Sequence, residues 1–146
     1  MRKVFLEKQN EESEDENPGE DNPCIFQNDD VIIDLSFLYA SSGNDRNFIF
    51  SMVQTFLKNM PLTIKKLEQS LNNQDWENVY KTAHSAKSSF SVIKVDEMLD
   101  WVRQVEENAL NKMNLEYIPD LVKNINQKFL FAEKILRKNF QEKDSF

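Results

Sequence analysis

The chain has 146 residues, 40% of them hydrophobic, which suits one domain with a real core once a polar N-terminal stretch is set aside. Its net charge of −7 is unevenly placed: residues 1–33 hold three basic and ten acidic groups, and the remainder holds fifteen of each. A neutral domain behind an acidic tail lacks the basic footprint that nucleic acid or an anionic membrane surface selects, so neither is expected as a partner.

Glu7 to Pro23 is dominated by Glu, Asp and Asn, with Pro18, Gly19 and Pro23, and offers almost nothing to bury. Residues 1–33 are therefore expected to form an acidic disordered tail or linker, with residues 34–146 as the folded domain. Val31, Ile32 and Ile33 give a short apolar run. A short helix should follow, capped by Asp34 or Ser36, ended near Ser41-Ser42-Gly43, and lying across the main body.

The next segment, capped by Asn44 or Asp45, places Ile49, Val53, Phe56, Met60, Leu67 and Leu71 on one helical stripe, with Ile64 one position off the repeat. Pro61 removes a backbone donor, but the phase holds on both sides, which predicts a single kinked helix. After Asn72-Asn73, Asp75 can cap a third stripe of Val79, Ala83, Ala86, Phe90 and Ile93, with Trp76 on the same face. A tight connection at Lys94 leads to Asp96 and a fourth stripe of Met98, Leu99, Val102, Val105 and Ala109. Asn111 to Asn114 make the next loop. The last helix, with Pro119 in its first turn, carries Ile118, Val122, Ile125, Phe129, Ala132 and Leu136. No segment alternates with period two over strand length, so no sheet is expected. Short connections force the long helices to be antiparallel neighbours, and the fold class predicted is all-α: an antiparallel four-helix bundle with an additional short N-terminal helix.

Chemistry is confined by scarcity. One cysteine, Cys24, and one histidine, His84, exclude a disulfide framework and a His/Cys metal site within a single chain. There is no run of about 18 apolar residues to span a membrane, and Met1 to Gln9 lack the apolar stretch of a signal peptide. The expected setting is the reducing cytoplasm. His84 follows Ala83, a seam residue, so it points roughly 100° away from the buried stripe and stands at least half exposed. Lys87 at i+3 and Ser88 at i+4 share its surface. Ala83-His84-Ser85-Ala86-Lys87-Ser88-Ser89 is thus a helical patch with an imidazole, a cation and small hydroxyls, low enough for a partner's loops to approach closely. Phe56, Phe90 and Trp76 sit in phase with their stripes and are expected in the core. Phe48, Phe50 and Tyr80 lie just off the seam and are expected to be exposed, where contiguous apolar side chains would form a docking patch.

This stretch resembles the signature of histidine-containing phosphotransfer domains, His-x-x-Lys followed by a small pair, with Ser88 standing where glycine is common. Asp75-Trp76 with Ala83 and the Asp34-Leu35-Ser36-Phe37-Leu38 segment match the same family, so the resemblance covers about residues 34–140. It implies that neutral His84 accepts a phosphoryl group from a receiver-domain aspartate and passes it to another. Lys87 would give electrostatic support, and Ser88 would be the small docking neighbour. The resemblance also implies an acceptor on the following helix that holds the other ring nitrogen, with Glu106 as candidate and Gln104 in reserve. No cofactor is expected in this chain, since the receiver supplies Mg2+. The implied partners are receiver (response-regulator) domains and a sensor histidine kinase, served by a monomer. Two other readings compete: an adaptor that binds receiver or kinase domains without phosphotransfer, and the phosphoacceptor piece of a histidine kinase. With only Gly19 and Gly43, there is no Gly-rich loop to cradle ATP phosphates, so the phosphoryl group must come from another domain or protein.

Overall fold

The structure, a computed structural model, describes residues 24–141. The disorder expected over Glu7 to Pro23 lies outside them. Two short strands, β1 (Ile25–Gln27) and β2 (Ile32–Asp34), precede helix α1 (Ser36–Ser42). Four long helices follow: α2 (Arg46–Asn72), α3 (Trp76–Val92), α4 (Asp96–Asn111) and α5 (Ile118–Asn139), with a 3-10 turn at Leu115–Tyr117 leading into α5. The helices pack α2 on α3, α3 on α4, α4 on α5 and α5 back on α2, closing an up-and-down bundle as predicted.

The predicted stripes are the core. Val79, Ala83, Ala86 and Phe90 of α3 are buried, as are Met98, Leu99, Val102, Val105 and Ala109 of α4 and Ile118, Val122, Ile125, Phe129, Ala132 and Leu136 of α5. In α2, Ile64 proves to be a full core member, and Leu71 is only partly buried. A straight helix of 3.6 residues per turn drifts against a seven-residue repeat, so over 27 residues the stripe walks onto Ile64. Phe56 joins three helices, its ring 5.8 Å from those of both Phe90 and Phe129. Trp76 packs against the core but is not enclosed by it.

Side-chain caps fix the starts of α2 and α3. The Asp45 carboxylate accepts from Phe48 N at 3.1 Å, and that of Asp75 accepts from Asn78 N at 3.3 Å. The first turn of α1 is held by Asp34, which accepts from Ser36 N at 2.8 Å. Gly43 ends α1 in the left-handed region at φ 67°, followed by Asn44 at φ 65°, which turns the chain sharply into α2. The long helix α2 runs through Pro61 without interruption. Pro61 lies on its exposed side, where water can replace the missing amide donor.

Two expectations need correction. The chain does contain a small sheet: β1 and β2 pair antiparallel, Ile25 with Asp34, Phe26 with Ile33 and Gln27 with Ile32. Strands of three residues are too short to show a two-residue period, so no alternation flags them. The packed unit also begins before Asp34, because Val31 and Ile33 are buried in the core and Phe26 packs its ring 5.3 Å from that of Phe140. Asn28 closes the hairpin, its side-chain oxygen accepting from Asp30 N at 2.7 Å and Val31 N at 3.0 Å. The hairpin is joined to the turn after α3 by reciprocal bonds, Asp34 N to Lys94 O (2.8 Å) and Lys94 N to Asp34 O (3.2 Å). That pairing satisfies the backbone of a connection only three residues long. No helix among the described residues is long and apolar enough to cross a membrane.

Candidate functional site: an exposed imidazole held by a carboxylate

With Ala83 fully buried, the next residue along α3 must face outward, and the His84 side chain is 59% exposed. One turn further on, Lys87 is 35% exposed and Ser88 is open to solvent. Across the α3–α4 seam, Val105 is buried. Glu106 follows it at the margin of the interface, and its side chain is only 14% exposed.

The structure brings three of the four sequence-predicted residues together around that carboxylate. One Glu106 oxygen lies 2.5 Å from His84 Nδ1, and the other lies 2.9 Å from Lys87 Nζ. Gln104 plays no part here, since its amide donates to Asp100 at 2.9 Å. Burial pushes the Glu106 carboxyl up. The hydrogen bonds from His84 and Lys87, helped by the charge of Lys87, outweigh that push and leave the group below its usual range. An ionised carboxylate can only accept, so the hydrogen on this contact belongs to Nδ1. Neutral His84 then carries its lone pair on Nε2, the nitrogen turned away from Glu106.

Ser88 stands apart from this triad. With Ser89 it borders a groove of about 210 Å³ between α2 and α3, floored by Phe56 and Met60 and flanked by Met52 and Asn59. Tyr80 departs from its expected place in an exposed apolar patch: it is half-buried and its ring stacks on that of His84, with centroids 5.8 Å apart and planes inclined by 29°. The signal was present in the spacing, because residues four apart on a helix share a face. Of its two expected companions, Phe48 is 44% exposed and Phe50 is half-buried. No group of His, Cys, Asp and Glu side chains among the described residues is arranged to hold a metal ion.

Comparison with known proteins agrees with this architecture. Histidine-containing phosphotransfer protein B from Pseudomonas aeruginosa PAO1 superposes with a TM-score of 0.68 at 19% identity, covering 75% of this chain and 94% of that one. The HPT domain of a sensor hybrid histidine kinase from Shewanella superposes with a TM-score of 0.63 at 13% identity, covering 73% and 91%. No curated protein sequence matches. The Hpt domain family matches residues 51–130, which hold α3, α4 and all of His84, Lys87, Ser88 and Glu106. More than half of the sequence is thereby accounted for, and the chain belongs to the Hpt-domain family of phosphorelay phosphotransfer proteins.

Proposed function

We propose that His84 is the phosphoacceptor of a multistep two-component relay, taking its phosphoryl group from a receiver-domain aspartate and delivering it to another. The observation that carries this reading is an exposed imidazole whose Nδ1 is held by a carboxylate, so that Nε2 faces solvent with its lone pair available. The Nε2 pair attacks phosphorus in line, the bond from phosphorus to the aspartyl oxygen breaks, and its electrons leave with the aspartate. The Nδ1 hydrogen stays on the ring. The positive charge that the phosphorylated ring acquires lies against ionised Glu106.

Lys87 reaches Glu106 from within one helical turn of His84, and it can offset charge on the phosphoryl oxygens without leaving the patch. Ser88 keeps the helix surface low where a receiver would dock. The chain supplies no cofactor of its own in this scheme. The Mg2+ that neutralises the acyl phosphate belongs to the receiver, and a sensor histidine kinase charges the relay upstream.

The test is transfer of label from a phosphorylated receiver with Mg2+, beside a His84→Gln variant. Acid-labile, base-stable label that is absent from the variant is the expected result. Binding of receivers with no label on the wild-type chain would replace the relay by a non-catalytic adaptor.

A further inference from the structure

We propose that Tyr80 is a positioning residue for His84, holding the plane of the imidazole while Glu106 holds one of its nitrogens. The proposal rests on the phosphoacceptor reading above. A single hydrogen bond to Nδ1 tolerates a range of angles, so coupled changes of χ1 and χ2 can still tilt the ring and carry Nε2 with it. A second contact is needed to fix the plane, and the described surroundings of His84 supply one: the Tyr80 ring, stacked at 5.8 Å with an inclination of 29°.

The placement follows from helix geometry. Side chains on a helix lean toward its N-terminus, so His84 leans back over the turn that begins at Tyr80. Tyr80 is the anchored member of the pair, half-buried and packed against the core, whereas His84 is 59% exposed and owes its orientation to its neighbours. Tyr80 also lines a cleft with Trp76 and Leu110, between the start of α3 and the end of α4. The stack therefore ties the imidazole to the one end of the α3–α4 pair, and the carboxylate ties it to the seam. Between them they aim Nε2 outward before any receiver arrives.

His84 is the sole histidine of the chain, so its ring signals in a nuclear magnetic resonance spectrum are unambiguous. In the wild type, the Tyr80 ring current should move the His84 ring protons upfield, and the ring nitrogens should report the Nδ1–H form. Tyr80→Leu should abolish the upfield shift and slow phosphorylation of His84 by phosphoramidate about three- to tenfold, the range set by an aromatic pair. In that reaction the phosphorus–nitrogen bond of the donor breaks and ammonia leaves, so no receiver docking enters the rate. Tyr80→Phe should restore both shift and rate.

Ring protons at unperturbed positions in the wild type overturn the proposal whatever the variants do. Equal rates for the wild type and Tyr80→Leu also overturn it, as does a Tyr80→Phe variant as slow as Tyr80→Leu, which would move the role to the hydroxyl. A wild-type chain that accepts no phosphoryl group from phosphoramidate or charged receivers would instead sink the phosphoacceptor reading, and the imidazole spectrum would still decide whether Tyr80 holds the ring.

Discussion

Helix α4 carries two glutamate–lysine pairs of the same length and opposite design. Near its C-terminal end, Glu106 meets Lys87 at 2.9 Å, and near its N-terminal end Glu97 meets Lys128 of α5, also at 2.9 Å. In the first pair the glutamate side chain is the sheltered partner, 14% exposed, and its carboxylate gathers two donors, one of them His84. In the second the lysine side chain is the sheltered partner, 19% exposed, and its ammonium gathers acceptors: Glu97, the Asp30 carbonyl at 2.7 Å, and the face of Trp101 at 6.0 Å. The sheltered glutamate bonds a neighbouring imidazole. The sheltered lysine bonds a piece of backbone, here the hairpin turn at Asp30. In each pair the more sheltered side chain gathers the further contact, an imidazole in the first and the hairpin backbone in the second.

Breaking each hub separates those roles. Glu106→Gln keeps the shape but removes the ionised acceptor. A charge-assisted hydrogen bond is worth about 1.5–3 kcal/mol, so phosphorylation of His84 should fall on the order of 10- to 100-fold while the bundle stays folded. Rates of label uptake beside a thermal melt check this. Lys128→Met keeps the apolar stem and deletes the ammonium. It should cost about 1 kcal/mol of stability in a denaturant titration, through the lost Asp30 bond, and leave the phosphorylation rate where it was. A slower rate in Lys128→Met would mean that the two hubs are coupled through α4.

Acid sharpens the comparison with a smaller effect. The Glu106 carboxyl is depressed in the folded chain, so its contribution to stability is complete above the ordinary glutamate value and is lost as pH falls through the lower folded value. Denaturant titrations stepped from about pH 6 to about pH 3 should show a decline that is shallower in Glu106→Gln. Equal slopes would place the acid sensitivity elsewhere.

The bundle was legible because burial imposes a period. Val79, Ala83, Ala86 and Phe90 announce the inner face of α3, and the same pattern fixes His84 on the outer one. What one stripe cannot carry is the register between two helices. Neither α3 nor α4 alone says that Glu106 rather than Gln104 meets His84, and the family resemblance supplied that candidate. The hairpin escaped for a different reason: its pairing is completed by Lys94, sixty residues from Asp34, which no local window contains. Tyr80 was within reach of a local argument, but its aromatic ring suggested a docking patch, and the packing that holds it half-buried comes from outside the helix.

The hairpin also has a mechanical reading. Cys24 and Leu35 leave it at the same edge, joined by the bond from Leu35 N to Cys24 O at 2.8 Å. Tension applied ahead of residue 24 therefore loads the ladder in unzipping geometry, where bonds yield one after another, with the Ile25–Asp34 pair taking strain before Gln27–Ile32. Two strands of three residues form a weak element under such a load. Under such a load β1 should part from β2 first, while β2 stays anchored through buried Ile33 and its bonds to Lys94, so the geometry around His84 should be left intact.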